Sequence, residues 1–149
     1  MKNFATYACI LAVMFMLVGC SGSDNPKTYE TTITVTLDGV PVPEAQITLH
    51  STDPENTNSS YGETDDKGVC RITTFEDADG AVPGNYQVAF RCIETITEPN
   101  PSEYDPEGVK VIAENEIIPS IYNVPSDKHV IDVTEDGPNE WTFDLSKNP

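Results

Sequence analysis

Positive charge is what this 149-residue sequence has least of. Eight Lys and Arg stand against 25 Asp and Glu, a formal net charge of −17. Such a chain is repelled by phosphate backbones and anionic head groups, which excludes nucleic-acid binding as a function class. Histidine is scarcer still: there are two, His50 and His129. Neither sits in a metal-ligand spacing such as His-x-x-x-His, so the sequence implies no metal centre and no cofactor. No set of nucleophile, base and stabiliser can be assembled from motifs, so the chain does not read as an enzyme. No stretch has the period of a long amphipathic helix. The main apolar run, Ala8 to Val18, falls short of the about 20 residues that span a bilayer comfortably.

That apolar run is nevertheless informative. It follows Lys2 and ends in Leu17-Val18-Gly19-Cys20. A positive start, a short apolar core and a small-residue exit define a secretory signal. Leu-Val-Gly-Cys resembles a bacterial lipobox, which implies cleavage after residue 19 and lipidation of Cys20. More than one acyl chain gives stable membrane anchoring. Other readings are an ordinary signal peptide with an incidental cysteine, or a short N-terminal membrane helix. On the lipoprotein reading, residues 1–19 are the signal peptide and 20–28 a polar, lipid-anchored tether. Residues 29–149 are then the folded domain. Ser21 occupies the position where aspartate would retain a lipoprotein at the inner membrane in many bacteria, so an extracytoplasmic, outer-membrane location is favoured. Cys9 leaves with the signal, while Cys70 and Cys92 enter an oxidising compartment and form an even pair.

From Tyr29 onward the dominant period is two. Ile33, Val35 and Leu37 alternate with threonines, and Ala45, Ile47 and Leu49 with polar residues. Such alternation reads as half-buried strands. Further strands are expected at Tyr61–Thr64, Val69–Phe75, Asn85–Ile93, His129–Thr134 and Trp141–Leu145, with turns at Asp38-Gly39, Asp65 to Gly68, Asp77 to Gly84 and Asp136 to Asn139. The fold class is all-β: a sandwich of about seven strands. Residues 94–122 hold four prolines and seven acidic residues and read as a long, partly ordered acidic loop. Within it, Val109–Ile112 is a short strand or part of a helical turn.

Three segments resemble one family. Thr36-Leu37-Asp38-Gly39-Val40-Pro41, Thr64-Asp65-Asp66-Lys67-Gly68-Val69 and Asp79-Gly80-Ala81-Val82-Pro83-Gly84-Asn85-Tyr86 are similar to the turn-and-strand motifs of carboxypeptidase regulatory-like domains. The resemblance, from Tyr29 to Leu145, implies a transthyretin-like (prealbumin-like) Greek-key sandwich of the kind carried by short bacterial lipoproteins. It also implies that Cys70 replaces a core aromatic and lies at the same end of the domain as Cys92, on the opposite sheet. An inter-sheet Cys70–Cys92 disulfide is the resulting expectation, with two buried free thiols as the alternative. The hydrolases and intradiol dioxygenases with related sandwiches use histidine clusters or Tyr/His iron sets that this sequence does not carry.

The expected function is therefore that of a non-catalytic structural or protein-interaction module, tethered to a membrane and meeting an envelope protein or glycan. The alternative is a ligand-binding module. Tyr61 and Tyr104 are candidates for stacking on sugar rings. Asp77 and Asp79, with Glu63 and Asp65 nearby in sequence, are weak candidates for calcium, although the EF-hand spacing fails at Ala81, Val82 and Val88.

Overall fold

The computed structural model describes residues 25–149 except 102, 103 and 106. Cys9, the signal segment, Cys20 and most of the tether lie outside the described residues. The described chain is all-β, with one 3-10 turn at Ser120–Asn123. Its strands are β1 (Thr31–Leu37), β2 (Val40–Pro41), β3 (Gln46–Ser51), β4 (Ser60–Glu63) and β5 (Val69–Arg71). They are followed by β6 (Gly84–Arg91), β7 (Ile93–Pro99), β8 (Val109–Glu116), β9 (Val130–Val133) and β10 (Asn139–Leu145).

Two four-stranded sheets form a sandwich. In the first, β1 is central: β10 runs parallel along one edge, while β5 and β2 share the other edge, antiparallel to β1. The second sheet is antiparallel throughout, in the order β4-β3-β6-β9. The expected alternation does the packing. Ile33 and Val35 from one sheet, and Ile47, Val88 and Phe90 from the other, are fully buried in a single core. The outward threonines of β1 remain half-buried. Turn chemistry closes the strands where the sequence signals it. Asp65 Oδ1 accepts from the N–H groups of Lys67 and Val69, and Gly68 takes φ +75° with Val35 O pressed against it. A side chain there would meet both a strained backbone and a carbonyl.

Two differences from the sequence reading matter. The strand expected at Val69–Phe75 stops at Arg71. Ile72 N still donates to Thr31 O, but Thr73 then exchanges hydrogen bonds with Tyr61 of the other sheet. Asp79 takes the two N–H groups after it: its Oδ1 accepts from Thr74 N at 2.7 Å and its Oδ2 from Phe75 N at 3.1 Å. A carboxylate within reach competes with ladder pairing for the backbone. The second difference is larger. Residues 94–122 are not mainly loop. They contain most of a two-stranded antiparallel ribbon, β7–β8, paired from Ile93–Glu116 to Pro99–Val109 with a bulge at Ile96/Thr97. The described residues thus form ten strands in three sheets, where about seven strands were expected.

Candidate functional site

Most motif residues turn out to serve the backbone. Thr64, buried, donates to Val42 O at 2.6 Å and accepts from Ala45 N at 2.8 Å. Tyr86, also buried, donates from its hydroxyl to Val82 O at 2.6 Å and accepts from Asn56 at 2.9 Å. Both hydroxyls satisfy groups that would otherwise be buried without partners. Asp79 holds its own loop and accepts from the Thr28 hydroxyl at 3.3 Å. These hydrogen bonds hold its carboxyl below the ordinary value against the opposing effect of burial, the largest single influence. Among the described residues, no three His, Cys, Asp or Glu side chains come together as metal ligands. Asp77 and Asp79 are therefore not gathered with Glu63 and Asp65 into a carboxylate cage.

The expected Cys70–Cys92 disulfide is not formed: both are buried free thiols. Cys70 lies on β5 opposite Ile33, in the first sheet. Cys92 follows β6, in the second, with its Sγ 3.6 Å from Pro43 O. The space beside Cys70 is filled by Gly62, where an added Cβ would lie 2.4 Å from the sulfur. Burial, then the negative charges of Glu63 and Asp65, push the Cys70 thiol up to about 12. Burial, Glu44 and Glu63 raise that of Cys92. Thiolate is the reacting form, so both sulfurs should be inert in the folded state. The expected result is that iodoacetamide leaves Cys70 unmodified in native protein but alkylates both cysteines in denaturant without reductant. A cross-linked Cys70–Cys92 peptide in mass mapping would contradict the structure.

The two histidines lie on opposite faces of the second sheet. His50 is on the exposed face of β3. The His129 ring packs edge-on against Phe90, Tyr122 and Phe143, at centroid distances of 5.6, 5.5 and 5.8 Å. Burial and then the adjacent Lys128 lower its pKa. It closes an aromatic cluster beneath an open hollow bordered by Gln87, Ile121 and Lys128.

Tyr61 and Tyr104 lie on different elements. Tyr61, 56% exposed on β4, borders an open groove of about 590 Å³ with Gln46, Glu63, Arg71 and Asp77. Tyr104 lies in the β7–β8 connection and is 95% exposed. The two do not line one groove.

The ribbon, in a segment whose composition reads as loop, is the longest stretch of exposed strand among the described residues. It leaves the sandwich at Cys92, whose carbonyl accepts from Ile117 N and Ile118 N on the return. Every residue of β8 is exposed. Ile96, Val109, Val111 and Ile112 show apolar side chains to solvent. Glu94, Glu98, Glu114 and Glu116 surround them, and Lys110 is the one basic residue on either strand. The signal was present as the β-branched run Ile93, Thr95, Ile96 and Thr97, uninterrupted by proline or glycine until Pro99.

Set against protein-family models, curated proteins and solved structures, the chain matches none of them.

Proposed function

We propose that this chain is a lipid-anchored, non-catalytic interaction module of the bacterial cell envelope, a transthyretin-like sandwich held to the membrane through Cys20. The observation that carries the interaction reading is the β7–β8 ribbon, which carries exposed valine and isoleucine side chains on an element clear of the core. Exposed apolar side chains grouped on one short element, as Val109, Val111 and Ile112 are on β8, point to an interaction site. The non-catalytic reading is supported by the motif carboxylates and hydroxyls, which are committed to backbone hydrogen bonds. The lipid reading rests on the Leu17-Val18-Gly19-Cys20 run. A second reading, glycan binding, draws on the Tyr61 groove, where one exposed ring lies among amide, carboxylate and guanidinium side chains. With Tyr104 on the ribbon instead, that groove has a single platform.

Metabolic labelling with a clickable palmitate analogue tests the anchor. The full chain expressed in a bacterial host should take up label and partition with detergent. Cys20→Ser should lose the label and move to the aqueous phase. Label or membrane partitioning that survives Cys20→Ser would remove the anchor from the proposal.

A further inference from the structure

We propose that the outer edge of β8 accepts an added β-strand from a partner protein, and that the added strand is extended, basic and free of proline. The proposal rests on the interaction-module reading and specifies its site and its chemistry.

A two-stranded ribbon on its own is at best marginally stable in water; three strands or a covering layer are needed. Among the described residues, β8 pairs with β7 alone, along eight exposed residues. The open row of donors and acceptors on such an edge is a template for another strand.

The backbone shows which groups are open. Pro99 is paired with Val109, and Asn100 N donates to Gly108 O at 2.7 Å. Proline has no N–H, so Pro99–Val109 is a pair without hydrogen bonds of its own. In an antiparallel ladder such pairs alternate with bonded ones. Thr97–Val111 is therefore also non-bonded, and Val109 and Val111 aim their N–H and C=O away from β7. Beyond the bulge, Ile117 N donates to Cys92 O, which brackets Ile93–Glu116 in the same way. Glu114 and Glu116 thus continue the open row. The opposite edge of the ribbon is a poorer template. Its matching row runs Ile93, Thr95, Thr97 and Pro99, and the last has no donor.

The side chains along β8 specify the guest. Near Val109, Val111 and Ile112 an added strand would lay apolar residues, and near Glu114 and Glu116 it would lay Lys or Arg. Glu94 and Glu98 on the neighbouring strand extend the same negative field. A second copy of this chain is opposed by its own charge of −17.

The test uses the full-length protein in non-ionic detergent and a fluorescein-labelled peptide of alternating valine and lysine, read by anisotropy. Saturable binding is expected, weakening as salt is raised. Val111→Pro removes one outward donor and no ribbon hydrogen bond, so binding should fall by about tenfold or more. Val111→Thr keeps the donor and should bind within about threefold, as strand addition relies on the main chain. Should Val111→Pro unfold the ribbon, the charge-reversed Glu114→Lys/Glu116→Lys variant carries the test. It should lose the valine–lysine peptide and gain a valine–glutamate one. Equal binding by wild type and both variants, or none by wild type, would overturn strand addition. A dimer in sedimentation that dissociates with Val111→Pro would overturn the basic partner in favour of a second copy. None of these outcomes depends on labelling at Cys20, so failure here leaves the anchored-module reading to its own experiment.

Discussion

Gly80→Ala is expected to destabilise the sandwich by about 4 kcal/mol, a large part of the roughly 5–15 kcal/mol that holds a domain together. Gly80 has φ +89°, and a Cβ built there lies 1.8 Å from Tyr29 O and 2.8 Å from Glu30 Cα. Both obstacles are backbone, so no side chain can swing aside. The neighbouring bonds prevent retreat. Tyr29 and Ala81 exchange N–H···O bonds of 2.9 and 3.1 Å, and Gly80 N donates to Ile72 O at 2.8 Å. The Thr74 hydroxyl also donates to Gly80 O at 2.6 Å. Strained backbone contributes about 1–3 kcal/mol and overpacking another 1–3 kcal/mol. Gly39→Ala separates the two effects, because Gly39 has φ +79° with nothing within 4 Å of its added Cβ. That change should cost about 1–2 kcal/mol, from the backbone alone. Urea melts of the three proteins measure the difference as shifts in midpoint at constant slope. If Gly80→Ala is no worse than Gly39→Ala, the Tyr29–Gly80 contact is not as close as the structure has it.

The same loop shows where a sequence is readable. Asp79-Gly80 reads as a turn because the residue types demand one. That the chain leaves β1 to pair Thr73 with Tyr61, and that the Asp79 carboxylate then takes the Thr74 and Phe75 N–H groups, depends on what lies within reach in space, which no pattern announces. The strands β1, β3, β6 and β10 are legible because one face of each is buried, and burial imposes period two on the side chains. The ribbon escapes the same logic. Neither face of β8 is buried, so Glu114 and Glu116 sit where a core strand would place apolar residues. Its prolines look like loop signals, yet Pro99 ends a strand and Pro119 precedes the 3-10 turn. Cys70 lies on β5 of the first sheet and Cys92 just after β6 of the second, but their sulfurs are engaged separately, one against Gly62 and the other toward Pro43 O. Strand assignment fixes a sheet and a face. It does not fix where a sulfur points.

Phe90→Ala should cost about 3–5 kcal/mol, the range for deleting a buried phenylalanine. Phe90 is fully buried on β6, and its ring stands edge-on to Phe143 at 5.1 Å and to His129 at 5.6 Å. Phe143 belongs to β10 in the other sheet, so this contact joins the two layers at their open side. Truncation leaves a cavity whose walls are anchored in separate sheets and cannot collapse freely, which places the cost toward the upper end of that range. The change also has a signature in pH. In the intact cluster, burial holds His129 below its ordinary 6.5, so the fold favours the neutral ring. The unfolded chain then takes up the proton first as pH falls. Stability is full above 6.5 and declines as pH drops from there toward the lowered folded value. With Phe90 gone, water reaches the ring, the folded pKa returns toward 6.5, and that part of the decline shrinks. Chemical denaturation at several pH values, with an NMR titration of the His129 ring, reads both effects. A Phe90→Ala protein that is less stable but keeps a depressed His129 would mean that Tyr122 and Phe143 dehydrate the ring without Phe90.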